Sequence, residues 1–457
     1  MKILRHRITN IIFLLVIGMP IYSFSQNVIK VDDINGALSR TNAPVSVRVN
    51  LSKSEDSAAK EGCLGIVELS TKNEKIIPAQ VENSYGETDS KVTFLMPDGK
   101  PGIRKFKLVE RVSPHRNAMK AAVDSKTGQL IIAEEGQKVL QYNYRIVYEK
   151  DVVRNNYTEH KNPAYGIVSG VYLEEYYKAH PGIKKDKKVT TQIYAVPRSD
   201  YIHPLYGLNG EMLTRDWPDN GHPHHRGIFW AWPEVEYGSS RGDIYALQRV
   251  FARPTGDIQY LGGQVFAQIV AENLWVWEKE PIVSEYAVIR VYRATQKTRI
   301  VDLTIKLDAL KDSVTIATRG TNSYGGLNVR LQSPESQDIS FFIDKKGTKL
   351  QRAWSDFNGV FKGNDSTSGL MILQCQGNPE YPGEWREYPN LGWVQPTFPT
   401  PNTRYPLSTE KSLILRYRLI IHNGGKPVEK ISEESWDAYH NSATPIFIFD
   451  SIENQLK

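Results

Sequence analysis

Four of the ten histidines fall in one short stretch: His203, then His222, His224 and His225, with Asp216 and Asp219 just upstream and Arg226 directly after. Imidazole is the side chain that exchanges a proton most readily near neutral pH, and a guanidinium beside it holds a carboxylate in a fixed fork. A His pair next to Arg226 and Asp216 could therefore give and take protons while a polar or anionic group is held in place. Pro218 and Pro223 exclude a helix. In an extended chain, His222 and His224 would share one side about 6–7 Å apart, and His225 would face the other way. A single divalent ion held by His222 and His224 with Asp216 or Asp219 is the rival chemistry. The spacing matches no zinc-protease or deaminase signature, so no cofactor is expected, with a divalent metal as the alternative. The plain reading is that these rings pack, and His203 suits a hydrogen-bonded structural role equally well.

Trp217, Trp230, Trp232, Trp275 and Trp277 crowd the same region, and Trp354, Trp385 and Trp393 follow. Indole faces stack on the C–H faces of sugar rings, and indole N–H and tyrosine hydroxyl groups satisfy sugar hydroxyls. About half of these tryptophans are expected only to fill a core. Glu234, Glu236, Asp243 and Glu285 stand in suggestive local settings, since two acids across a cleft would suit glycosidic hydrolysis. The segment from Gly377 to Pro389 combines Pro, aromatic and Arg residues densely enough to form an ordered cleft wall.

The elements that must position these groups are strands. The chain holds 24 Tyr and 9 Trp against 6 Met, with 25 Pro and 33 Gly as punctuation, a composition that favours sheets and turns. From Ile29 to about Val112, short period-two runs such as Val45 to Leu51 and Lys105 to Val109 indicate a small N-terminal β-sandwich, spanning 27–113 and acting as an accessory module. A polar break at Ser113 to Asn117 separates it from a large antiparallel β-supersandwich over 118–450. The long alternating strands there include Tyr286 to Tyr292, Arg299 to Leu307, Ser313 to Thr318 and Ser412 to Ile421. One helix is expected, Ile431 to Tyr439.

Lys2, Arg5 and Arg7, an apolar run from Ile11 to Ile21, and small residues at Ser23 and Ser25 read as a cleavable signal peptide over 1–25. The mature chain would begin near Gln26 and lie in the periplasm or outside the cell, with no membrane span. No Cys stands at the cleavage point for lipid anchoring. There are 57 Lys and Arg against 51 Asp and Glu, and no basic cluster longer than Lys184 to Lys188. A nucleic-acid partner is therefore not expected. Cys63 and Cys375, far apart in sequence, leave the question of a disulfide open.

In order along the chain stand Thr214-Arg215-Asp216-Trp217-Pro218, His222-Pro223-His224-His225-Arg226-Gly227, Tyr324 to Leu331, Asn378 to Pro382 with Trp385 and Arg386, and Leu415 to Leu419. This series resembles the DUF6807 family over roughly Gly128 to His422, most specifically in His-Pro-His-His-Arg. The resemblance implies an exported all-β protein of bacteria rich in glycan-degrading systems. By analogy of fold it is similar to the galactose-mutarotase-like sandwiches of aldose epimerases and polysaccharide lyases. The methane oxygenase label the family has carried does not fit, because no second apolar run could span a bilayer. The resemblance carries over His222, His224, His225 and Asp216 as catalytic positions. Arg226, Tyr324, Arg330, Asn378, Trp385 and Arg386, with Trp230 and Trp232, stand as substrate-binding positions. The function expected is a carbohydrate-active hydrolase, lyase or epimerase acting on a small sugar or oligosaccharide. A non-catalytic glycan-binding scaffold and a metal-dependent hydrolase or oxidoreductase are the alternatives.

Overall fold

The protein is known from a computed structural model, which describes residues 28–33, 42–69, 75–82, 90–100, 102–110, 118–148, 197–216, 224–345, 352–427 and 429–441. The expected signal peptide, His222, Trp217, Asp219 and the run from Lys184 to Lys188 lie outside these residues.

The first unit is a six-stranded antiparallel sheet ordered Val28–Asp33, Gly102–Glu110, Leu64–Glu68, Ile77–Glu82, Ser90–Leu95, Pro44–Val49. Alternate residues of these strands meet in one core of Val45, Leu64, Ile66, Ala79, Val92, Phe94 and Phe106. Its helix, Lys53–Lys60, does not appear in the period-two reading of this region. Its signal is local: Ser52 accepts from the Glu55 amide while the Glu55 carboxylate accepts from the Ser52 amide, a capping box spelled Ser-x-x-Glu.

The larger unit begins at Met119 and is a sandwich of two eight-stranded sheets. One runs Trp385–Tyr388, Trp393–Pro396, Gly326–Arg330, Ile228–Ala231, Ile202–Leu205, Gln137–Tyr142, Leu130–Glu134, Met119–Val123. We call it the site sheet. The other runs Val250–Leu261, Phe266–Trp277, Glu280–Tyr292, Thr298–Ala309, Leu413–Asn423, Thr367–Gln374, Arg352–Val360, Glu335–Ile343, and forms the backing sheet. A four-stranded sheet ordered Ser240–Gly242, Glu234–Tyr237, Val314–Ala317, Tyr405–Pro406 flanks them. The architecture is all-β, and the long alternating strands read from the sequence are present. The expected C-terminal helix spans Glu429–Asn441, where Trp436 stacks on Trp354 at 4.6 Å between centroids. No helix among the described residues is long and apolar enough to cross a membrane. Cys63 and Cys375 are both buried free thiols.

The centre of the sandwich fixes the sidedness of the site sheet. Trp230 Nε1 donates across the core to Glu285 Oε1 at 2.7 Å, and Trp275 Nε1 donates to Glu285 Oε2 at 2.6 Å. Trp230 therefore points at the backing sheet, and Phe229, one residue earlier, points away from it. All four residues of Ile228–Ala231 are nonetheless buried, so both faces of this strand are covered.

Candidate functional site

The outer face of the site sheet is built by register. Phe229 pairs with Asn328, and Arg330 pairs with Trp393, so Phe229, Asn328, Arg330, Trp393 and Gln395 share that face. Gln395 Nε2 donates to Asn328 Oδ1 at 2.5 Å, which ties two of the strands. The segment carrying the histidines is pinned here by the main chain. Gly227 donates to the Arg215 carbonyl at 2.8 Å, Arg330 donates to the Gly227 carbonyl at 2.8 Å, and Arg215 donates to the Arg330 carbonyl at 3.0 Å. Gly227 turns the chain into its strand at φ +53°, where an added Cβ would stand 2.2 Å from the Ile202 carbonyl oxygen. Only glycine fits that approach.

Asp216 and Arg226 face each other across an isolated antiparallel bridge, and Arg226 Nη1 lies 3.5 Å from Asp216 Oδ1. The Tyr201 hydroxyl donates to the other oxygen of Asp216 at 2.8 Å. Both partners are buried, and the group orients the chain around it. His203 is also buried, with Nδ1 3.0 Å from the Thr214 hydroxyl, a setting that suits the structural one of its two readings.

His224 sits in a turn, and its ring centroid lies 4.6 Å from that of His225 in an edge-on arrangement. The expectation that His225 would face away fails because the chain turns at 224 before joining the bridge at Arg226, so extended period-two geometry does not apply. The two imidazoles join an aromatic wall. Tyr245 lies 5.5 Å from His224 and 5.9 Å from His225, Trp393 lies 5.3 Å from His225, and Tyr324 lies 5.1 Å from Tyr245 and 5.6 Å from Trp393. Tyr388 stacks on Trp393 at 4.7 Å with planes 12° apart. His225, Tyr245 and Trp393 form the buried floor, His224 and Tyr324 are half-buried, and Tyr388 is exposed at the rim.

Guanidinium groups back the wall. Arg198 lies 4.8 Å over the Phe229 ring and donates to the Tyr245 carbonyl at 3.3 Å. Burial, together with nearby Arg226, pulls its pKa down to about 10. Arg319 lies over Tyr324, donates to its hydroxyl at 3.3 Å and pairs with Asp243. Burial pushes Asp243 up to about 6 even with Arg319 pulling the other way. Arg198, Arg226 and Arg330 are among the most deeply buried side chains of the protein.

Several other expected site residues are placed elsewhere. Trp230 and Trp232 lie in the inter-sheet core, with Trp232 Nε1 donating to the Phe398 carbonyl at 2.8 Å. Their indole faces are packed on protein, so they are corrected from sugar-stacking to core residues. Trp385 packs on Phe341 and donates to the Arg352 carbonyl at 2.9 Å, and Asn378 bonds both the amide and the carbonyl of Arg416. Both fasten the Gly377 to Pro389 segment. Arg386 is half-buried and reaches the Asn322 carbonyl at 2.9 Å, which ties that segment to the loop carrying Arg319 and Tyr324. Tyr324 and Arg330 do belong to the wall. Glu285 is in the core, and Glu234 is held by Arg404 and the Gly320 amide. Among the described residues, no three metal-ligating side chains converge.

The chain belongs to the DUF6807 family. This family of unknown function matches residues 184–436, a span that includes the histidine segment, Tyr245, Tyr324, Arg330 and Trp393. No curated relative matches the chain. Tyr245, Tyr388, Arg198 and Arg319 are members of this wall that sequence reasoning did not single out, and Trp393 was noted only among the tryptophans that could stack on a sugar. Asp243 drew notice only as an acid in a Gly-flanked loop.

Proposed function

We propose that this DUF6807 protein is an exported carbohydrate-active enzyme in which His224 transfers a proton to or from a sugar. The observation that carries the reading is the half-buried His224 imidazole set edge-on against buried His225 and Tyr245, beside a ladder of aromatic rings that rises to exposed Tyr388. A half-buried ring held against two others keeps a fixed direction for proton transfer, and exposed aromatic faces suit the C–H faces of a sugar. His225 acts through His224 as a positioning residue.

The chemistry this geometry supports best is proton transfer at a sugar carbon, as in elimination or epimerisation. Two-carboxylate hydrolysis is less well supported, because Glu285 and Glu234 are engaged by protein partners and Asp243 is paired with Arg319. The test is a screen of plant and host glycans for product formation with wild type and His224→Ala. We expect the variant to lose at least about a hundredfold in rate, the usual scale for a lost proton-transfer group. Equal product from both proteins removes the role. Binding without turnover, unchanged in His224→Ala and weakened in Tyr388→Ala, would instead identify a glycan-binding scaffold.

A further inference from the structure

Away from the aromatic wall, the two sheets of the larger unit meet around a pair of acids. Glu285 lies on Glu280–Tyr292 of the backing sheet, and Asp200 stands just ahead of Ile202–Leu205 of the site sheet. They are 0% and 1% exposed, and their carboxyl groups are hydrogen-bonded to each other. The bonds around them come from donors. The Tyr142 hydroxyl and the Asn273 amide reach Asp200 Oδ1 at 2.6 and 3.3 Å, and the indole N–H groups of Trp230 and Trp275 take the two oxygens of Glu285 at 2.7 and 2.6 Å.

An ionised carboxylate only accepts, so two of them cannot bond to each other, and a proton between them is what makes the contact a bond. Charge leads to the same count. Two anions in contact inside a core repel, and such pairs keep one proton. Asp200 meets the charge of Arg198, so one proton on the pair leaves one anion opposite one guanidinium. Burial, and then neighbouring Asp200, raises the Glu285 carboxyl well above its ordinary range, and burial raises Asp200 too. Tyr142 and Trp230 face the pair from the site sheet, Asn273 and Trp275 from the backing sheet, and Arg198 from the segment before Ile202. Of these, Tyr142 is pushed up by burial and by both acids, so it stays a donor.

We infer that Asp200 and Glu285 share a single proton in the folded protein, and that this proton fastens the two sheets together in a joint that alkaline conditions loosen. Asn273 Nδ2 also donates to the Tyr142 hydroxyl at 2.9 Å, so the pair and its donors form one network across the core. Taking the proton away turns an O–H···O⁻ bond into a contact between two anions. Unfolded acids hold almost no proton above about pH 6, so folding takes one up from solvent. The sign is that of a raised acid: the stability from the pair is complete below about pH 4 and drains as pH rises, by about tenfold in the folding constant per pH unit, until the pair itself ionises. Asp243 titrates at about 6, so the slope above neutral pH is not its own.

The experiment is urea unfolding of the full mature chain at several pH values from about 7 to 8.5, in wild type, Glu285→Gln and Asp200→Asn, with the infrared carboxyl region of each folded protein recorded near pH 8. We expect the wild-type folding constant to fall about tenfold more per pH unit than that of Glu285→Gln, whose amide keeps a neutral partner for Asp200 and has no proton to lose. Asp200→Asn removes the like charge and should flatten the slope in the same direction. The slope is read and not the absolute stability, since the amide offers one acceptor oxygen to two indoles. Folded wild type should show the carbonyl stretch of a protonated carboxylic acid, and Glu285→Gln should lack it. Equal slopes in wild type and Glu285→Gln, no protonated-acid band in folded wild type, or a band that survives in Glu285→Gln, each overturns the inference. If neither variant folds, the wild-type band decides alone: its presence supports the shared proton and its absence ends it.

Discussion

At Asp243 two effects oppose each other on one carboxylate. Burial favours the neutral acid, the Arg319 guanidinium favours the anion, and burial wins far enough to bring the pKa to about 6. The unfolded group titrates near 4, so over the interval between, the folded state holds the extra proton. Stability from this group is complete below about pH 4 and is lost as pH rises through about 6, a change of roughly 3 kcal/mol across that interval. Melting temperatures of wild type and Asp243→Asn between pH 4 and 7 check this: the variant should lack that part of the downward slope. Two parallel curves would show that Asp243 does not carry it. The same titration sets the net charge beside Tyr324, because Arg319 loses its charged partner as Asp243 protonates. None of this was legible at the residue in sequence, where Asp243 was one acid among Glu234, Glu236 and Glu285. What separates them is the partner each meets, and the partners of Asp243 and Glu234, Arg319 and Arg404, stand tens of residues away.

The strand Ile228–Ala231 shows why the alternation of its tryptophans misleads about their side. Period-two alternation tells which residues share a face, and it places Ile228 with Trp230 and Phe229 with Ala231 correctly. It does not tell which face meets a ligand when both faces are buried, as they are here. The decision comes from Glu285 on the backing sheet, which draws the indole N–H groups of both Trp230 and Trp275 inward. Burial raises the pKa of Glu285 well above the ordinary range, and nearby Asp200 adds to that rise. Trp230→Phe and Trp393→Phe should thus separate cleanly. The first strips a partner from Glu285 and leaves space in the core, costing about 2–4 kcal/mol of stability in denaturant unfolding with little change in ligand affinity. The second should lower ligand affinity as well as stability, since Trp393 is also buried among other rings. The histidine segment was legible as a cluster, since Pro218 and Pro223 exclude a helix and feed it toward a strand. The turn at His224 was not, because it depends on the main-chain bonds that Gly227 and Arg330 make across two other strands.

On the scale of the molecule, the period-two runs and the polar break near residue 113 suggest a division of the chain into a small and a large β unit. The same patterning makes the small unit look like an accessory. The contacts between the two units argue otherwise. Glu82 of the first sheet takes a two-pronged hydrogen bond from Arg290 of the backing sheet, at 2.8 and 3.0 Å, with the Arg290 side chain 4% exposed. Beside it, Gln80 Oε1 accepts from the Val265 and Phe266 amides at 2.9 and 3.0 Å, and Gln264 Nε2 donates back to the Leu64 carbonyl at 2.5 Å. Neither half of this junction is visible in local sequence, because each partner lies about two hundred positions from the other. Arg290 with Lys91 holds Glu82 down to about 2 despite its burial. A depressed carboxylate contributes stability that is present above about pH 4.5 and is lost as pH falls through about 2. Glu82→Ala leaves Arg290 buried without its carboxylate, so we expect a loss of about 3–5 kcal/mol and a flatter acid limb. Removing residues 27–113 altogether would strip Arg290, Gln264 and the Val265 and Phe266 amides at once. The truncated protein should then unfold at a markedly lower temperature or fail to stay soluble. Calorimetry of the three proteins decides the matter: if the truncated chain melts where the full one does, the small unit is the detachable accessory its sequence suggested.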